Sequence, residues 1–386
     1  MTKSDLFPGL DDITFADSAP VKIERNIITL YETMTGRSLA KGDPVRLFLD
    51  TIAAVFVQLY ARLDTSAKRN LLAYADGAFL DHLGALLSVT RLEAASAVTT
   101  IRFTLSEAQP AAVIIPAGTR VSPGGGTLLF ATVEAAEIPA GETETDVLAQ
   151  CSEAGDVGNG FVAGQLKKLV DPFPYEMSVT NTTTSSGGAD VETDENLRER
   201  IQIAPESFSV AGPDGAYQYF ARSAHQSIID VAVLGPDDST AAHVITPGNV
   251  EIYPLMAGGE LPSQEILDAV YEACDAEDVR PLTDYLHVLS PEAVNYDLSV
   301  TYWIDRSNAA RGAAIQAAVA AAVDGWALWQ RSKLGRDINP SELTRCMIDA
   351  GAKRVEIASP DFTVLAAAQV AIPASVSVLY GGLEDG

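Results

Sequence analysis

Four histidines, three cysteines and 52 acidic residues are the side chains from which this 386-residue chain could build a catalytic or metal centre. Their spacing does not build one. His82, His225, His243 and His287 form no HxH or HExxH pattern and no cluster with cysteine, whereas a zinc site needs three or four donors converging on one point. His82 reads as a partly buried helix residue, His225 as the residue after a helix end, and His243 and His287 as loop and strand residues. Cys151, Cys274 and Cys346 are far apart and form no CxxC pair; they read as buried thiols in a reducing compartment. There is no GxSxG elbow, no SxxK and no protease-like cysteine context.

Glycine clusters and acid pairs fare no better. Ser122-Pro123-Gly124-Gly125-Gly126 lacks the GK[ST] that cradles phosphate, and Gly155-Asp156-Val157-Gly158-Asn159-Gly160 opens no helix after a strand. Both read as turns in β structure. Glu142/Glu144, Asp194/Glu195 and Asp237/Asp238 are sequence neighbours that point different ways and cannot flank one glycosidic bond. Asp237-Asp238-Ser239 lacks the spaced oxygens and terminal Glu of a calcium loop. The chain is expected to carry no catalytic residue, no metal and no cofactor, and to act through its surfaces.

Charge narrows the partners. Lys and Arg total 26 against 52 acids, a formal charge of −26. That field repels phosphate backbones and anionic lipid, so neither nucleic acid nor membrane is an expected partner. No continuous apolar run approaches the roughly 20 residues that cross a bilayer. Met1-Thr2-Lys3-Ser4-Asp5 opens no secretory signal, so the expectation is a soluble chain that stays where it is made. Hydrophobic residues make up 47% and charged residues 20%, enough to bury cores in about two to four domains.

The elements follow from periodicity and caps. Residues 1–93 form a helical region. Ile23, Ile27, Leu30 and Met34 lie one helical turn apart, with Gly36 placed to end the helix. Asp43-Pro44 then supplies an N-cap and a first-turn proline. Val45, Leu49, Ile52, Phe56, Leu59 and Leu63 follow at alternating spacings of four and three, which is a heptad seam. Leu47, Phe48, Val55, Val57 and Tyr60 add apolar side chains elsewhere around that helix. One partner helix cannot cover so much surface, so either a bundle completed by other subunits or an internal core must bury it.

Residues 94–180 read as a β-rich domain. Ile101, Phe103 and Leu105 alternate with polar residues, and turns fall at Pro116-Ala117-Gly118 and Pro139-Ala140-Gly141. Residues 181–290 form an α/β domain after a polar linker, Asn181–Gly188, which is a candidate hinge. A helix starts at Thr193-Asp194-Glu195 and runs to Pro205; further helices fall near 216–224 and from Ser263. Strands are expected near 228–234, 250–253 and 285–289. Residues 291–386 form a C-terminal α/β domain. Its Val294, Tyr296, Leu298, Val300, Tyr302 and Ile304 make the clearest period-two strand in the chain. A helix bearing Ile315, Val319, Val323 and Trp326 follows, then a capping box at Asn339-Pro340-Ser341-Glu342. Strands near 354–357 and 376–380 end the domain. The fold class is α+β multidomain: helices, a small β-rich domain, then mixed-sheet α/β domains.

Six stretches in this order resemble the baseplate J-like family, the wedge proteins of contractile phage tails and tail-derived injection particles. They are Asp76–Gly84 running to Val89-Thr90-Arg91; Ile115–Thr119 with Phe130-Ala131-Thr132; Ala154–Asn159; Ser186–Glu195 leading to Leu197–Ile201; Arg280–Asp284; and Ile338–Leu343. The resemblance implies a structural baseplate wedge subunit that is not an enzyme. It implies a second copy of the chain in the wedge and another wedge protein joined through a helical bundle. Neighbouring wedges, with hub or sheath proteins, would complete the ring that relays the trigger for sheath contraction. The seam Val45, Leu49, Ile52, Phe56, Leu59 and Leu63 is then the candidate interface. The location would be the tail baseplate of a virion or tail-like particle, assembled in the bacterial cytoplasm. A cell-wall-degrading tail enzyme and a receptor-binding fibre are the other readings; the first needs converging carboxylates, the second repeats.

Overall fold

Pro20 and Pro44 each open a helix, where a missing N–H leaves no intrahelical bond unmade. They begin α1 (Pro20–Thr35) and α2 (Pro44–Lys68) in this computed structural model, which describes residues 6–7, 9–124, 128–208, 214–276 and 279–385. Gly36 ends α1 at φ 68° and donates its N–H to the Glu32 carbonyl. The Asp43 carboxylate caps α2 by accepting from Val45 N at 2.9 Å. The chain divides into two units, Met1–Arg91 with Thr193–Gln202, and Leu92–Glu192 with Ile203–Gly386.

The first unit adds α3 (Gly77–Ala85) and α4 (Asp194–Ile203), which meet although about a hundred residues separate them. Thr193 caps α4, its hydroxyl accepting from Asn196 N at 3.3 Å. The Asp194 carboxylate accepts from Gly77 N at 3.0 Å and from the Arg91 guanidinium at 2.7 Å, and Arg91 also reaches Asp81. Buried Arg198 donates to the carbonyls of Leu72 and Ala75, and Arg200 to that of Thr90. A Cβ on Gly84 would lie 2.7 Å from the Val89 carbonyl oxygen and 3.1 Å from Ile201. The segments around Asp76–Arg91 and Thr193–Ile201 are thus two halves of one joint.

Burial pushes the Asp194 carboxyl up, but the Gly77 amide, Arg91 and Arg198 outweigh it and hold it below its ordinary value of 3.8. A lowered folded-state value stabilises the fold above the unfolded value and loses that contribution as pH falls through the folded one. The joint should therefore weaken from about pH 4 downward. Acid titration of stability should show this dependence reduced in Asp194→Asn, and an unchanged profile would refute the assignment.

The second unit starts with a β module. Its strands are β1 (Val98–Leu105), β2 (Val113–Ile115), β3 (Arg120–Ser122), β4 (Phe130–Thr132), β5 (Ala136–Ile138), β6 (Glu144–Cys151), β7 (Lys168–Leu169) and β8 (Met177–Asn181). One sheet runs β7-β3-β4-β6-β1-β8; its edge strands β7 and β8 approach each other, so it nearly closes as a barrel around Ile101, Phe103, Phe130 and Leu166. β2 and β5 pair separately. The glycine cluster at 155–160 is a turn, as expected, and a crowded one: a Cβ on Gly158 would meet Ala97 and Cys151 within 2.9 Å. In the other glycine cluster β3 ends at Ser122 and Gly124 adopts φ 94°, while Gly125 and Gly126 lie outside the described residues, as do Met1–Asp5.

The segment 181–188 is not the free linker its composition suggests. Asn181 is buried, donating its amide to the carbonyls of Phe161, Val162 and Thr183 and accepting from Leu166 N. The buried Ser185 hydroxyl donates to the Gly158 carbonyl at 2.6 Å, and Ser186 bridges Val98. His225 and Gln226 donate to the carbonyls of Gly187 and Ala189. These polar side chains satisfy backbone groups where the sheet ladder gives out. The segment is thus bonded along its length within its own unit.

Beyond the barrel lie α5 (Asp214–Ala224), β9 (Ile228–Leu234), β10 (Asn249–Met256), α6 (Gln264–Asp275) and β11 (Tyr285–Val288), the strands ordered β11-β10-β9. Then come β12 (Glu292–Asp305), α7 (Gly312–Gln330), α8 (Pro340–Asp349), β13 (Arg354–Ser359) and β14 (Gln369–Glu384), in the sheet β13-β12-β14. Tyr296, Leu298, Val300, Tyr302 and Ile304 pack with Ile315, Val319, Val323 and Trp326, because period two and period 3.6 each put their apolar residues on one face. Asn339 caps α8 through Ser341 N, but Glu342 pairs with Arg345 instead of completing a capping box. The chain is an α+β multidomain protein, with helices, a barrel-like sheet and mixed sheets in that order.

Three smaller expectations are corrected. His82 is exposed on α3, and Cys346 is half-buried while Cys151 and Cys274 are buried. By length and composition α2 could cross a bilayer, whereas continuous apolar runs indicated no such segment. Asp50, Gln58 and Arg62 interrupt the run without interrupting the helix.

Candidate assembly surface

An exposed apolar side chain has nothing to bury it in a free chain, so a helix covered with them is a candidate interaction surface. α1 and α2 pack as a pair through Ile23, Ile28 and Ala53, joined by the Arg46–Glu24 ion pair at 2.9 Å. The connection is tied by Leu39 N donating to Glu32 Oε1 at 2.7 Å. Further along, Asp64 accepts from Phe15 N and pairs with Lys68; these hold its carboxyl below the usual range, with Lys68 the larger cause.

Along α2 only Ala53 is fully buried. Val45, Leu49 and Ile52 are half-buried, while Phe56, Leu59 and Leu63 are exposed, the last by 57%. At about 100° per residue, the seam centres roughly 80° around the helix from Ala53. It therefore flanks the covered direction. Leu47, Phe48, Val55 and Tyr60 are exposed as well, so exposed apolar side chains lie on more than one face along the helix. Burying one such side chain is worth about 1.5–3 kcal/mol, so the uncovered face offers far more than a passing contact.

The stripe on α1 forms the expected helix, ended by Gly36, but its residues differ in burial. Ile23 and Ile28 are buried and Ile27 partly so, but Leu30 and Met34 point to solvent, Met34 being 79% exposed. They enlarge the apolar surface of this helix pair. Periodicity could not separate them from core residues, because a stripe awaiting another chain has the same spacing as one already covered. The titratable side chains do not converge: among the described residues no three His, Cys, Asp or Glu are grouped as metal ligands. His243 instead pairs with Glu251, and His287 with Asn249.

Comparison with known proteins accounts for most of the chain. Baseplate J-like family models match in order as N-terminal domain (residues 42–97), barrel domain (100–188), central domain (209–290) and C-terminal domain (296–379). Baseplate protein J of Escherichia phage P2 is 33% identical over 200 residues, covering 50% of this chain and 61% of that protein. The cryo-EM structure of the anti-feeding prophage baseplate contains a chain 14% identical, matched over 92% of this chain and 90% of that one with a TM-score of 0.39. Four family models in sequence, spread from residue 42 to residue 379, leave one assignment: the chain belongs to the Baseplate J-like family.

Proposed function

We propose that the chain is a structural, non-catalytic subunit of a contractile-tail baseplate. In this reading it sits in the wedge, beside a second copy of itself and another wedge protein whose helices complete α2. Contacts with neighbouring wedges, hub or sheath relay the trigger for contraction, and the chain assembles into the particle in the bacterial cytoplasm. The observation that carries the reading is the apolar face of α2, exposed over Phe56, Leu59 and Leu63, within the span matched by the family's N-terminal domain. A bundle of protein helices suits this face better than lipid, since Asp50 and Arg62 lie within the helix and charges in hydrocarbon are costly.

Removing the coding sequence should abolish assembled, contractile particles in electron micrographs, with assembly restored by the wild-type gene. Particles that form and contract normally without the chain would overturn the proposal.

A further inference from the structure

The barrel and the α/β module after it meet through a few buried polar bonds, and one of the groups making them can gain a proton near neutral pH. The segment that closes the barrel runs along the turn between α5 and β9. His225 Nε2 donates to the Gly187 carbonyl at 3.2 Å, and Gln226 Nε2 to that of Ala189 at 3.3 Å. Both side chains are buried, His225 being only 8% exposed. The turn is braced from behind, where Ala257 N donates to the Ser227 carbonyl at 2.7 Å.

The other ring nitrogen fixes the tautomer. Ser227 N donates to His225 Nδ1 at 3.2 Å. A backbone N–H can donate only to a bare nitrogen, so the ring proton sits on Nε2, facing Gly187. Only the neutral ring can make both bonds. A second proton would arrive on Nδ1 and face the Ser227 N–H, donor against donor, and would place a charge in a buried site. No carboxylate stands by to pair with it. Arg222 on α5 pairs with Asp230 on β9, and Glu265 on α6 accepts from Ser186. Glu192 accepts from Leu92 N, Asp190 lies against Gly155, and Glu260 offers its carbonyl to Met256 N. None of them bonds the ring. Burial holds the imidazole below its ordinary value of 6.5, with the Gly187 bond opposing.

We propose that His225 is a proton-operated latch between the barrel and the module that follows it. Neutral, it ties the closing segment of the barrel to the turn after α5; protonated, it must leave Gly187 for water and the junction loosens. A lowered folded-state value means that the latch contributes fully above 6.5 and that the contribution is lost as pH falls below it. The inference concerns the chain alone and holds whatever its place in a baseplate.

Hydrogen exchange of the full chain at about pH 7.5 and about pH 5.5, corrected for the intrinsic rate, tests this. In the wild type, opening at residues 185–191 and 225–229 should rise severalfold, up to about tenfold, between the two. β12 and α7 should stay protected. His225→Gln has no titrating ring and should lose the pH response at the junction, whatever its baseline protection. No rise in the wild type, a rise shared equally by β12, or an equal rise in His225→Gln would each overturn the proposal. Should that variant fail to fold, imidazole NMR of the wild type decides. The His225 ring should titrate below 6.5, in step with the exchange at the junction, and a ring titrating at 6.5 or above would refute the latch.

Discussion

Replacing Phe56 and Leu59 by alanine should release the chain from its baseplate partners without unfolding it. Both side chains are exposed in the free chain, by 41% and 52%, so little packing is lost there. In a completed bundle each would be a core position, and a large-to-small change in a packed core costs about 2–5 kcal/mol. Together they should weaken association by about three orders of magnitude or more. Co-purification of other baseplate proteins with the tagged variant measures the loss, and circular dichroism checks the fold. A variant that unfolds as a whole would make the seam an internal core. One that assembles normally would show that the seam is not the interface.

Arg198→Ala should be among the most destabilising single changes in the first unit. The side chain is buried and donates to two carbonyls, Leu72 O at 2.9 Å and Ala75 O at 2.6 Å, while pairing with Glu195. Truncation leaves those oxygens covered without their donors and opens a cavity between the chain before α3 and α4. Each buried carbonyl left without its donor costs about 1–3 kcal/mol, while Glu195, largely exposed, is left to water. Hydrogen exchange should report lost protection in residues 71–91 and 193–202, with β12 protected as before. Arg198→Lys should rescue poorly, since one ammonium cannot reproduce the guanidinium fork. Unchanged exchange in the alanine variant would show that α4 is held by packing alone.

The polar linker shows how composition misleads. Asn, Thr, Ser and Gly in a row have the same polarity whether they solvate a free segment or bond backbone groups at the end of a sheet. Asn181 and Ser185 take the second role, because the carbonyls of Phe161, Val162 and Gly158 lie beside them within hydrogen-bond reach. β14 was underestimated for a related reason. The expectation near 376–380 caught its apolar alternation, but Pro373 and the small residues after it, Ala374 and Ser375, conceal a strand that runs from Gln369 to Glu384. Proline is tolerated there because the strand lies at an edge, a property of the sheet and not of the residue.

What the sequence determined alone is what neighbours within a turn or two decide. Asp43 and Asn339 cap helices because their carboxylate or amide oxygen reaches an N–H two residues on, and Gly36 ends one because it can adopt positive φ. β12 and α7 were legible because their apolar periods match strand and helix geometry. The heptad spacing on α2 was legible too, but its exposure was not: identical spacing serves a core and an interface. Tertiary structure alone decided that β14 lies parallel to β12, that α4 closes on α3, and that Met34 faces solvent while Ile28 is buried. Those outcomes depend on residues far apart in sequence competing for the same partner, and no local period carries that information.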